Sequence, residues 1–106
     1  MGPKFQPNFI NAVIKVETML TPQKLLEELK YLEKLHNRKI TKRWGPRSLD
    51  LDILIYDQVI MNSEDLTLPH PGVKYREFVL IPLYEITRYD FEVPKYGKIS
   101  KLIRRL

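Results

Sequence analysis

The chain has 106 residues, enough for one domain with one modest core. Its 43% hydrophobic and 29% charged residues exclude a disordered tail and suit a folded globular protein. With no cysteine it can form neither a disulfide nor a thiolate metal site, which suits a reducing compartment, and its net charge of +5 favours anionic partners such as nucleotides. No apolar run approaches membrane-spanning length and the opening MGPKFQPNF carries no signal-peptide core, so a cytoplasmic protein with no membrane partner is expected.

Residues 9–18, FINAVIKVET, read as a strand. Ile10, Ala12, Ile14 and Val16 alternate with Asn11, Lys15 and Glu17, and Val13 breaks the pattern. Thr21-Pro22 opens a helix, because threonine can cap and proline suits the first helical position. Leu25, Leu26, Leu29, Leu32 and Leu35 form its apolar stripe. Residues 36–47 are basic, lack a period and contain Gly45-Pro46, so they read as a loop. Residues 48–56, SLDLDILIY, read as a second strand. Leu49, Leu51 and Ile53 lie on one face, Asp50 and Asp52 on the other, and the apolar ILIY half predicts burial on both faces. A turn near Asp57-Gln58 leads to a short return strand at Val59-Ile60-Met61. LTLPHP is extended, residues 75–86 are helical with Pro82 as a break or kink, and Phe91-Glu92-Val93 is extended. Lys95-Tyr96-Gly97 turns, and residues 99–106 form a short helix whose cationic end favours the helix dipole.

The chemistry concentrates in residues 43–52, RWGPRSLDLD. Two carboxylates at i and i+2 on a strand project from the same face and repel each other. A divalent cation relieves that repulsion, and Mg²⁺ takes one or two protein carboxylates together with phosphate oxygens and water. A bare D-x-D pair reads as two solvated acids. Arg38, Lys39, Lys42, Arg43 and Arg47 in one short segment favour a polyanion, since arginine holds phosphate through paired hydrogen bonds. Such a loop can fold over a phosphate chain, with Trp44 as an apolar lid residue. His70 is either structural or a phosphate donor. Arg76 offers a second phosphate contact, and Phe78 is either core or an aromatic face for a flat ring.

At RWGPRSLDLDI the sequence resembles the 6-hydroxymethyl-7,8-dihydropterin pyrophosphokinase (HPPK) family of folate biosynthesis. The family signature is a Pro-Arg run followed by Asp-apolar-Asp, matched by residues 45–52. QPNFINAVIKVET and LTLPHPGVKYREFVLIPLYEI resemble the family's other binding segments, in the same order, so the resemblance covers nearly the whole chain. It implies transfer of pyrophosphate from ATP to the hydroxymethyl oxygen of the pterin, releasing AMP, with two Mg²⁺ ions. Asp50 and Asp52 would ligate the metal, with Arg47, Arg43 and Arg38 catalytic on the mobile loop. Trp44, Ile53, Thr67, His70 and Arg76 would bind ATP. Phe9 and Phe78 would sandwich the pterin, with Asn11 and Gln6 beside it. The implied fold is α/β (α+β), a ferredoxin-like sandwich formed by a single domain over residues 1–106.

The sequence departs from the family pattern in three places. Phe9 stands where tyrosine is frequent, which keeps stacking and loses a phenolic hydrogen bond. The basic loop is about one residue short between Asn37 and Arg43. Family members begin with a strand bearing Gly-Ser-Asn, a helix and another strand, whereas this chain matches the C-terminal two-thirds of the fold. The expectation is therefore an N-terminally truncated sandwich whose open edge is closed by direct strand pairing or by a homodimer. Two other readings compete with the enzyme: a catalytically impaired homologue serving as a nucleotide-binding or partner module, and a basic nucleic-acid-binding domain. The latter is disfavoured because the Asp50–Asp52 face repels phosphate without metal and no paired aromatics sit on central strands.

Overall fold

The computed structural model describes residues 11–39 and 49–106. Helix α1 spans Pro22–Lys39, followed by strands β1 (Met61–Asn62) and β2 (Thr67–Leu68), a 3-10 turn (Pro71–Lys74), helix α2 (Glu77–Ile86), strands β3 (Glu92–Val93) and β4 (Gly97–Lys98), and helix α3 (Ile99–Arg104). The fold is mixed α/β. Its regular pairing, among the described residues, is two short antiparallel ladders: Met61 opposite Leu68 in the first, Val93 opposite Gly97 in the second.

Helix α1 starts where the Thr-Pro pair predicts. Thr21 Oγ1 accepts the Lys24 amide at 3.2 Å, satisfying one of the amides a helix start leaves unpaired, and the Thr21 carbonyl accepts that of Leu25 at 2.8 Å as the first bond of the helix. The helix runs on to Lys39, so the loop expected from His36 begins at least three residues later. Nothing between His36 and Lys39 breaks a helix, and Leu35 before them is half-buried. Arg38, expected on the basic loop, therefore stands exposed in the last helical turn, where a cation complements the helix dipole.

The apolar side chains gather into two clusters. One joins Leu26 of α1 to Ile53, Leu66 and Leu68, with Leu25, Leu29, Tyr56, Val59 and Met61 against it. The other joins Val73, Leu80, Leu83, Val93, Ile99 and Leu102, so α2, α3 and the β3–β4 hairpin close on one another. Residues 53–56 run between them: Ile53 and Tyr56 enter the first cluster, Leu54 and Ile55 pack on the second. This is the two-sided burial that ILIY predicts. Burying such side chains contributes about 1.5–3 kcal/mol each.

Both expected long strands are corrected in their described parts. Residues 11–18 and 49–56 join no ladder. A strand needs a partner, and alternation cannot supply one. The expected inward face of the first is also reversed. Val13, the exception to the pattern, packs on the second cluster, while Ile14 is 78% and Val16 58% exposed. Helix α2 continues through Pro82 without a break. Proline lacks the amide that would bond the Phe78 carbonyl, and the adjoining buried Leu80 and Leu83 hold the helix in place. The expected turns are present: Asp57 adopts φ 47° and Lys95 and Gly97 adopt φ 74° and 97°.

Candidate active site

Residues 49–53 pass along the first cluster with burial that alternates as the sequence pattern requires. Asp50 and Asp52 are exposed, Leu49 and Leu51 half-buried, and Ile53 buried. The two carboxylates therefore share the solvent side of a segment whose apolar residues fix its roll. Two hydrogen bonds hold that segment to its neighbours. The Leu51 amide donates to Glu33 Oε2 of α1 at 2.6 Å, and the His70 amide donates to the Leu54 carbonyl at 2.8 Å.

These elements surround an open cleft of about 470 Å³. Asp50, Asp52 and Ile53 line one wall, Lys30 and Glu33 of α1 another, and Glu64, Asp65, Thr67 and His70 the rest. Ser63 shapes the turn carrying Glu64 and Asp65. Its hydroxyl donates to the Leu66 carbonyl at 3.0 Å and accepts from Gln23 of α1 at 3.3 Å. Thr67 Oγ1 donates to Asn62 Oδ1 at 3.0 Å across the β1–β2 ladder.

His70 precedes the 3-10 turn, and its Nδ1 accepts the Gly72 amide at 3.0 Å. A neutral imidazole whose Nδ1 accepts must carry its proton on Nε2. His70 thus offers the cleft an N–H donor rather than a lone pair. Gly72 also makes room for Arg76: a Cβ there would stand 3.1 Å from Arg76 Cδ and 3.2 Å from His70 Nδ1. Arg76 therefore lies beside the imidazole, its guanidinium 5.8 Å from the centres of both the Tyr75 and Phe78 rings. Phe78 is 49% exposed, so it is not committed to the core.

The structure thus brings Asp50, Asp52, Ile53, Thr67 and His70 to one cleft, with Arg76 and Phe78 adjoining it through His70. Ile53 is buried, which leaves its backbone for any polar contact. Asn11 and Arg38 are exposed and do not line the cleft. Gln6, Phe9, Arg43, Trp44 and Arg47 lie outside the described residues.

Sequence reading missed Lys30, Glu33, Glu64 and Asp65. A signal existed for the first two: with Leu26 they stand at i, i+4 and i+7, one face of a helix. Among the described lining residues five carboxylates face Lys30, and these acids by themselves repel a bare polyphosphate. Among the described residues no group of three or more carboxylates or imidazoles is placed to hold a metal alone. Asp50 and Asp52, both exposed on the cleft, supply the donor type that Mg²⁺ takes in its other mode of binding, one or two carboxylates plus substrate phosphates and water.

A cleft lined by two carboxylates and an imidazole, with an arginine beside it, carries the groups that phosphate chemistry with a divalent cation employs. The model of the 7,8-dihydro-6-hydroxymethylpterin-pyrophosphokinase family matches residues 1–88, and the chain belongs to that family. It is 46% identical over 105 residues to the 2-amino-4-hydroxy-6-hydroxymethyldihydropteridine pyrophosphokinase of Haemophilus influenzae, a span of 99% of this chain and 65% of that protein. To the protein of the same name from a Synechocystis species it is 41% identical over 106 residues, 99% of this chain and 53% of the relative. The bifunctional protein FolKE of Lactococcus lactis is 40% identical over 106 residues, 100% of this chain and 30% of that protein. The chain spans less than two thirds of the length of these relatives.

Proposed function

We propose that this chain is a pyrophosphokinase that transfers the β,γ-pyrophosphoryl group of ATP to the hydroxymethyl oxygen of 6-hydroxymethyl-7,8-dihydropterin, releasing AMP, in folate biosynthesis. The observation that carries the reading is the meeting of Asp50, Asp52, Thr67 and His70 in one cleft from two separate stretches of sequence. In the reaction the hydroxymethyl oxygen bonds to the β-phosphorus as the bond from that phosphorus to the α-phosphate's bridging oxygen breaks.

Asp50 and Asp52 would hold two Mg²⁺ ions between the acidic wall and the triphosphate. Bound there, the metal would neutralise phosphate charge and align it for in-line displacement. His70 donates Nε2–H to a phosphate oxygen and Arg76 adds a paired guanidinium contact from beside it. Thr67 lies at the nucleotide end of the cleft, and Ile53 contributes backbone. Phe78 presents an aromatic face for the pterin, opposite Phe9, with Asn11 and Gln6 reading its edge. Arg38, Arg43 and Arg47 neutralise the transferring group, and Trp44 covers the nucleotide. Positioning and charge neutralisation supply most of the catalysis.

The same reading takes the chain as one domain over residues 1–106 with the ferredoxin-like arrangement of its family. Exposed Ile14 and Val16 support a homodimer that covers this edge. Light scattering at working concentration tests that part; a monomer with full activity removes the dimer. The activity is tested by AMP release from ATP in the presence of the pterin alcohol. A folded chain that produces no AMP above the rate without pterin overturns the assignment.

A further inference from the structure

We propose that Glu33 is a positioning residue that sets the orientation of the Asp50–Asp52 pair by holding the amide between them. The proposal rests on the pyrophosphokinase reading for its consequence, but not for its geometry. Glu33 Oε2 accepts the Leu51 N–H at 2.6 Å, a short charge-assisted bond spanning 18 residues of sequence. Residues 49–56 belong to no ladder, so their backbone lacks the row of hydrogen bonds that fixes a strand. Beside the metal-binding pair this single bond replaces that row. The other described anchors of the segment, the His70 amide on the Leu54 carbonyl and the Tyr56 hydroxyl on the Leu20 carbonyl, lie two and four residues beyond Asp52.

The placement is specific. Leu51 is flanked directly by both carboxylates, so rotation of its peptide planes moves Asp50 and Asp52 in opposite senses. Glu33 sits on α1 one turn from Lys30 and two from Leu26, which is 8% exposed in the first cluster. The helix is thereby anchored in the core and its carboxylate is delivered at a fixed height. A further negative group near the pair would only add repulsion unless its charge were engaged, and the Leu51 N–H engages it. Glu33 therefore acts through an acceptor oxygen aimed at backbone, not through its charge.

That distinction makes the proposal testable with Glu33→Gln and Glu33→Ala. Glutamine keeps an oxygen acceptor at the same reach and drops the charge; alanine drops both. Amide hydrogen exchange at Leu51 in the full chain, without nucleotide, reads the bond directly. Protection should fall about tenfold or more in Glu33→Ala and stay within about threefold of the parent in Glu33→Gln. Mn²⁺-ATP affinity should follow the same order, weakened by alanine and largely retained by glutamine. Unchanged Leu51 exchange in Glu33→Ala overturns the proposal. So does a glutamine variant that keeps Leu51 protection but loses Mn²⁺-ATP as fully as alanine, since Glu33 would then act through its charge on the metal. Far-ultraviolet circular dichroism checks that α1 persists; if alanine unfolds the chain, Leu51 exchange in Glu33→Gln decides, and a tenfold loss there overturns it. If the parent chain makes no AMP yet the exchange results hold, the pyrophosphokinase reading fails and the positioning role stands.

Discussion

Two carboxylates set two residues apart repel each other until a cation lies between them, and on this chain nothing in the described structure neutralises Asp50 or Asp52. Each is exposed, so removing its charge leaves the core intact. Asp50→Asn and Asp52→Asn should each lower kcat/KM by about a hundredfold or more while shifting stability by no more than about 0.5 kcal/mol. AMP release across a Mg²⁺ titration, paired with urea melts, checks both halves. His70 has a different role, because Gly72 fixes which nitrogen bears its proton. His70→Ala removes one donor to an anion and should cost about tenfold in ATP affinity. Phe78 is half exposed, so Phe78→Ala should raise the KM for the pterin and leave that for ATP unchanged; steady-state kinetics with each substrate varied separates the two.

Helix α1 was legible because its start is chemical: Thr21 caps, Pro22 begins, and the leucine stripe repeats at helical spacing. Thr21→Ala should lower stability by about 1 kcal/mol, measured by urea denaturation. The end of α1 was not legible, since His36, Asn37, Arg38 and Lys39 neither favour nor forbid a helix strongly. The C-terminal hairpin turns through two left-handed positions. Gly97 has open space where a Cβ would stand, so Gly97→Ala should cost about 1 kcal/mol from backbone strain alone. The β3–β4 hairpin and α3 close the second cluster, so that loss is felt by α2 and hence beneath Phe78. Residues 11–18 and 49–56 show the converse. Their alternation reads as strand, yet pairing depends on what lies beside them in space.

For the molecule as a whole, the described lining of the cleft is acidic where the chain is basic. A protein of net charge +5 presents five carboxylates around the place where ATP is proposed to bind. ATP with Mg²⁺ should therefore raise the melting temperature, whereas ATP with excess chelator should leave it unchanged; differential scanning fluorimetry reads the difference. No helix among the described residues is long and apolar enough to cross a membrane.

The sequence alone determined the local: the start of α1, the turns at Asp57 and Gly97, the two-sided burial of ILIY, and the choice of Asp50, Asp52, Thr67 and His70 as candidates, which the structure finds lining one cleft. Those follow from spacing, capping, backbone preference and a motif, all of which act over a few residues. Tertiary structure decided which side of residues 11–18 meets the core, where α1 stops, and that Glu33, Lys30, Glu64 and Asp65 face the same cleft. These depend on contacts between residues far apart in the chain, where the free energy of a position comes from its neighbours in space.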